Sequence, residues 1–195
     1  ESYHRDIEGI TRRVIVCAGT GCVANGSLKI FDELKKQIAA AGLPVVIELK
    51  HEDEASDGAG TAGAAAAGTA GAAGPKGTML SRSGCQGFCQ MGPLVTIEPD
   101  HILYTKVKIG DVAEIVSETL AEGKVVERLL YREPATGKHC KGVNEIPFYV
   151  RQKRETLALC GRIDPEDIRE YIANGGYEAA RLAYRELTPP LICQE

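Results

Sequence analysis

The chain has no tryptophan, only three phenylalanines and seven tyrosines among 195 residues, so a binding surface built on stacked aromatic rings is not expected. It has no run approaching the roughly 18 to 20 apolar residues that a membrane-spanning helix needs. The stretch from Glu1 to Glu8 is charged and lacks the apolar centre of a signal peptide. An excess of one charge is also missing, since 23 Lys+Arg are scattered among 27 Asp+Glu for a net charge of −4. Without a basic block, nucleic acid and anionic membranes are poor partners. These absences leave a soluble, cytoplasmic protein as the expectation. The 44% hydrophobic content suffices for one ordinary domain, or for a small domain with an extension.

Arg13 to Cys17 is a β-branched run that stops at a glycine-containing loop, and Leu28, Phe31, Leu34 and Ile38 then recur at helical spacing. The pattern predicts a strand, a loop and an amphipathic helix with Ser27 as N-cap and Gly42 at C′. Pro44 to Lys50 predicts a second strand. Residues 55–77 are almost wholly Ala and Gly, with too little apolar bulk to order them, and are expected to form a flexible insertion. Leu94 to Glu98 and Ile102 to Val107 flank Pro99 and Asp100 and predict a hairpin. Asp111 to Glu122 places Val112, Ile115, Val116, Thr119 and Leu120 on one helical face, ended by Gly123. The order βαβ, then ββα, defines a small α/β layer on a mixed sheet, as thioredoxin-like folds have. Glu133 to Glu145 is polar and predicts a boundary, giving an α/β domain over 1–132 and a linker with helices over 133–195. Helices are expected within Pro147 to Cys160, from an Asp164 N-cap with Pro165 at N1, and from about Tyr177 to Leu187, the last ended by Pro189 and Pro190.

The seven cysteines fall into two close pairs and three singles, unlike a secreted disulfide scaffold. In a reducing compartment such pairs are more often metal ligands or redox groups. Cys17 and Cys22, with four residues between them, follow the first strand, and Cys85 and Cys89, with three between them, precede the hairpin. A βαβ–ββα chain brings both loops to one edge of the sheet. Four thiolates there form a ligand set that holds iron–sulfur clusters, and Gly19, Gly21, Gly84, Gly87 and Gly92 let backbone amides approach the sulfurs. Structural zinc is the alternative, although its pairs usually repeat a two-residue gap. A dithiol redox site would need C-x-x-C, which is absent. Gly19-Thr20-Gly21 lacks the further glycine and the acidic residue of a dinucleotide fingerprint.

Cys17-x₄-Cys22, the stretch Gly-Cys-Gln-Gly-Phe-Cys-Gln-Met-Gly-Pro from Gly84 to Pro93, and Ile102-Leu-Tyr leading to Asp111-Val-Ala-Glu-Ile-Val resemble thioredoxin-like [2Fe–2S] ferredoxins. Ile146-Pro-Phe-Tyr-Val-Arg-Gln-Lys-Arg, Cys160-Gly-Arg-Ile-Asp-Pro-Glu-Asp-Ile and Tyr171-Ile-Ala-Asn-Gly-Gly-Tyr narrow the resemblance. They are similar to the NADH-oxidising flavoprotein subunit of iron-only, often electron-bifurcating, and NADP-reducing hydrogenases, a relative of the NADH-binding subunit of respiratory complex I. The resemblance implies a [2Fe–2S] cluster on Cys17, Cys22, Cys85 and Cys89, and transfer of single electrons within an NADH-linked oxidoreductase. It also implies that 133–195 lead into a flavin domain, with that domain and further iron–sulfur subunits as partners. FMN, NADH and a [4Fe–4S] cluster belong to the family's later segments and map to no residue here, so the chain alone is not expected to oxidise NADH. A stand-alone ferredoxin and a zinc-stabilised interaction module are the other readings.

Cys160, before Gly161, is expected to be a small buried hydrophobe. Cys140, between His139 and Lys141, is either an exposed thiol of lowered pKa or a bystander. Cys193, His4, His51 and His101 receive no role. Arg151, Lys153 and Arg154 are expected to form a solvated helix face, or to meet a flavin domain or partner subunit.

Overall fold

The computed structural model describes Tyr3, His4, 7–46 and 77–194. The bulk of the Ala/Gly insertion lies outside these residues.

Strand β1 (Ile10–Cys17) is central in a five-stranded sheet of order β2-β3-β1-β4-β5. Helix α1 (Thr20–Ala24) and helix α2 (Ser27–Ala40) follow it, then the edge strand β2 (Val45–Val46). Strand β3 (Gly77–Ser83) runs parallel to β1, with Val14 opposite Leu80 and Cys17 opposite Ser83. Such a parallel pair requires a crossover connection, which contains α2. Strand β4 (Val95–Glu98) pairs antiparallel with β1, and β5 (Ile102–Tyr104) pairs antiparallel with β4 to complete the sheet. Helix α3 (Val112–Glu114) continues as a π-helical stretch over Ile115–Ala121. This is the mixed-sheet, thioredoxin-like α/β plan expected from the sequence, with one further strand, β3, between β2 and β1.

Strand β3 was not legible. Its sequence, Gly-Thr-Met-Leu-Ser-Arg-Ser, has little β-branching, and its Ser81 meets a partner, the Arg13 Nε at 2.9 Å, that only the tertiary fold supplies. The expected second strand from Pro44 is described only over Val45–Val46, and 47–50 lie outside the described residues. Strand β5 stops before the expected Val107 because Lys106 takes a left-handed backbone at φ 51°. On α2 the buried ridge is Ile30, Leu34 and Ile38, whereas Leu28 faces solvent and Ser27 follows a Gly26 N-cap. Gly42, at φ 69°, is the left-handed residue after the helix, as expected.

Alternation along the strands makes two buried faces. Val14, Val16, Leu80, Val95, Ile97, Ile102 and Tyr104 pack beneath α2 and the α3 region to form the main core. There the Tyr104 hydroxyl lies 2.6 Å from the Thr119 hydroxyl and accepts the Val126 amide at 3.0 Å, so its polar end is satisfied. The other face, with Cys17, Leu94 and Leu103, is covered by the C-terminal extension through Cys140, Ile146 and Tyr149.

The polar stretch expected as a boundary carries a hairpin, β6 (Tyr131–Arg132) with β7 (His139–Cys140). It lies beside the free edge of β5: the Leu103 amide donates to the Lys141 carbonyl at 2.8 Å, and Tyr104 bridges Leu130. Helix α4 is only Pro147–Val150, and turns replace the helix expected to reach Cys160. Helix α5 (Ile168–Ala173) is capped by Asp167, not Asp164, because Asp167 Oδ1 accepts the Arg169 amide at 2.9 Å while Asp164 Oδ1 caps a turn at Glu166. Helix α6 is Glu178–Arg185. Pro189 and Pro190 open a last short helix, α7 (Pro189–Ile192), since proline is tolerated in a first turn.

From α5, Glu170 reaches back to β1. Its carboxylate is 2% exposed and accepts both ends of the Arg13 guanidinium, one at 3.0 Å, and the Asp164 amide at 2.8 Å. Tyr3 completes this cluster, its hydroxyl pushed up to about 12 by burial and then by the Glu170 charge.

Candidate metal centre

The fold brings Cys17, Cys22, Cys85 and Cys89 to one end of the sheet. Cys17 ends β1, Cys22 lies in α1 instead of the expected open loop, Cys85 follows β3, and Cys89 begins a 3-10 turn over Cys89–Met91. Three glycines set the approach of the two loops. A Cβ on Gly19 would stand 2.8 Å from Cys85 Cβ and 2.9 Å from its Cα, and one on Gly21 would stand 3.4 Å from Cys89 Cβ. A Cβ on Gly92 would lie 2.6 Å from Cys22 Sγ. Each cysteine loop is therefore packed against a cysteine of the other.

Gly19→Ala is expected to destabilise the metal-free protein by about 1–3 kcal/mol, because backbone on both sides must shift. Gly84→Ala, with nothing within 4 Å of its Cβ, should stay within about 0.5 kcal/mol of wild type. Urea unfolding of both variants checks the pair; equal stabilities would mean that the contact at Gly19 is slack.

The thiols form two pairs. Cys85 Sγ and Cys89 Sγ are 3.7 Å apart and exposed, while Cys17 and Cys22 are buried. A hydrogen bond from the Cys22 thiol is the main reason the Cys17 thiol drops to about 6; burial opposes the shift, and the Gln86 and Gly19 amides assist it. The same bond, followed by burial, pushes Cys22 far up. Binding a metal through both sulfurs would require the Cys22 thiol to lose its proton, since thiolates are the ligands. Cys89 is raised by its hydrogen bond with Cys85 and then by that residue's charge. The Gly87 amide donates to Cys85 Sγ at 3.4 Å, a contact made with φ 87° at Gly87.

Among the described residues no three His, Cys, Asp or Glu side chains close on one point as a single metal ion requires. Four cysteine thiols in two pairs are a donor set that both iron–sulfur centres and zinc use.

Of the other cysteines, Cys140 is buried and its thiol is raised by desolvation, so the exposed, acidified thiol is corrected: the hairpin turns its side chain under the extension. Cys160 is half-buried and Cys193 exposed. The sequence reading missed the aromatic wall of the site. Phe88 stacks on Phe148 with centroids 4.8 Å apart and meets Tyr149 and Tyr131 edge-on at 5.5 and 5.3 Å. The adjacent Phe148 and Tyr149 in a chain so poor in rings were the available signal. Arg154, expected on a solvated face, donates to the Gln86 carbonyl at 2.9 Å, and the Tyr149 hydroxyl donates to the same oxygen at 3.3 Å.

Fold and site together define a thioredoxin-like α/β protein that presents four thiols, in two pairs, at one end of its sheet. Among known proteins the chain is similar to a 2Fe-2S ferredoxin of Aquifex aeolicus (strain VF5), 45% identical over 53 residues, which are 27% of this chain and 48% of that protein. It is likewise similar to a 2Fe-2S ferredoxin of Clostridium pasteurianum, 41% identical over 51 residues, 26% of this chain and 50% of the relative. The chain thus spans about half the length of the curated relatives it matches. Among solved structures it is similar to the wild-type thioredoxin-like [2Fe-2S] ferredoxin from Aquifex aeolicus, with a TM-score of 0.43, 24% identity, and coverage of 64% of this chain and 99% of that one. No protein-family model matches. No helix among the described residues is long and apolar enough to cross a membrane.

Proposed function

We propose that the chain is a one-electron carrier holding a [2Fe–2S] cluster on Cys17, Cys22, Cys85 and Cys89. The observation that carries this reading is the interlock of the two ligand loops, which sets two thiol pairs side by side. Relatives named 2Fe-2S ferredoxin support it. Such a cluster, when bound, takes up and returns a single electron. The residues of this chain divide the remaining work. Cys17 and Cys22 anchor from the protein side, and Cys85 and Cys89 face solvent, where a redox partner approaches. The Gly87 amide offsets negative charge at Cys85. Phe88, Leu94 and Tyr149 keep water from the inner side.

The carrier is further assigned to an NADH-linked oxidoreductase, with a flavin domain and other iron–sulfur subunits as its neighbours. Exposed apolar side chains on the extension, among them Phe148, Val150, Leu157, Ile168 and Ile172, support a neighbour that covers them. NADH delivers a hydride, two electrons at once, so a flavin must divide the pair before a one-electron carrier can accept it.

The test is anaerobic. Iron and sulfide are expected in equal amounts, two of each per chain. Dithionite should reduce the isolated polypeptide to a paramagnetic one-electron state, whereas NADH alone should leave its spectrum unchanged. Zinc in place of iron would refute the carrier, and rapid bleaching of flavin-free protein by NADH would refute the need for a flavin neighbour.

A further inference from the structure

One cation of the C-terminal extension reaches the ligand loop. Arg154 binds the Gln86 carbonyl through Nη2, and that nitrogen lies 3.0 Å from where a Cβ on Gly87 would stand. Its guanidinium also lies over the Tyr149 ring, 5.6 Å from the centroid. Its Nε is buried and makes no hydrogen bond among the described residues. The neighbouring cations differ, for Arg151 is exposed and Lys153 points to solvent beside Glu155 at 2.6 Å.

A half-buried guanidinium with an orphaned donor is costly unless negative charge lies close by. The carbonyl it binds belongs to Gln86, the residue between Cys85 and the Gly87 whose amide donates to Cys85 Sγ at 3.4 Å. The charges of Cys17, Cys85 and Cys22 and that of Arg154 all act on the Tyr149 hydroxyl, which burial raises first, so cation and thiolates share one neighbourhood.

We propose that Arg154 is a positioning residue that sets the redox poise of the thiol centre. It holds the Gln86–Gly87 turn so that the Gly87 amide stays on Cys85, and its charge favours the reduced form. The inference rests on the [2Fe–2S] reading above. Reduction adds one negative charge to the centre, so a fixed cation beside it stabilises the reduced state more than the oxidised one. Its location on the extension makes residues beyond the α/β layer part of the electron carrier.

The experiment is a dye-mediated redox titration of the iron-loaded chain with dithionite, followed by EPR, for wild type, Arg154→Gln, Arg154→Lys and Lys153→Gln. Arg154→Gln is expected to lower the reduced-to-oxidised ratio at a fixed ambient potential about tenfold, which for a one-electron couple is about 59 mV. Arg154→Lys should stay within about twofold of wild type, as should Lys153→Gln, whose charge is in solvent. An Arg154→Gln ratio equal to that of wild type or of Lys153→Gln overturns the proposal. Should Arg154→Gln fail to retain iron, Arg154→Lys decides: a ratio near wild type supports the charge effect, and a tenfold fall overturns it. Wild-type protein without iron and sulfide would instead sink the cluster reading itself, a result visible before any titration begins.

Discussion

Replacing any one of Cys17, Cys22, Cys85 or Cys89 with alanine is expected to abolish or severely weaken iron and sulfide retention, while Cys140→Ala, Cys160→Ala and Cys193→Ala retain both. The contrast follows from position. The first four lie on two loops that touch through Gly19, Gly21 and Gly92, whereas Cys140 is enclosed under the extension with its thiol raised by burial. Losses should differ in degree. Cys17 and Cys22 are buried, so alanine there leaves a void as well as a missing ligand. Cys85 and Cys89 are open to water, which can occupy a vacated coordination position, so these variants should keep some residual iron. Iron and sulfide analysis with visible spectra of all seven variants makes the comparison. Bleaching by Cys140→Ala together with full retention by Cys22→Ala would show the ligand set to be wrong.

Glu170→Ala is expected to cost the metal-free protein about 3 kcal/mol, near the low end for breaking a buried pair because Arg13 keeps 19% of its side chain exposed. The loss strips Arg13 of its anion and leaves the Asp164 amide without its acceptor. For a chain of this length that corresponds to a drop in Tm of roughly 6–12 °C. Replacing both partners with apolar residues, Arg13→Met with Glu170→Leu, should recover most of it, since the penalty lies in the unpaired charge. Urea unfolding of the single and double variants closes the cycle. A Glu170→Ala variant as stable as wild type would mean that α5 is not held to β1 by this contact.

Local pattern made much of this molecule legible. Strands β1, β4 and β5, the helical face from Val112 to Leu120 and the glycine at position 42 follow from periodicity and turn chemistry, which act over a few residues, and the meeting of the two cysteine loops follows from the order of those elements. The failures share a different cause. Strand β3 carries Ser81 and Arg82, which point to opposite faces, because Ser81 meets Arg13 and Arg82 meets Glu166, charges supplied by other segments. Asp164 looks like an N-cap in sequence, but its amide is committed to Glu170 and the helix begins three residues later. Arg154 looks solvated among Arg151 and Lys153 until Tyr149 and Gln86 give its head a place. Local signals describe an element; its partners across the fold decide what a polar side chain does.

The Arg13–Glu170 contact closes a separation of 157 residues, and this has a consequence for the newborn chain. At roughly 5–20 residues per second, synthesis of the intervening segment takes on the order of 10–30 s. A contact of such length comes late in folding, after the loop-closure cost of the shorter pairings has been met. Until it forms, the Arg13 guanidinium on β1 lacks its buried carboxylate partner, and α5 has no anchor on the sheet.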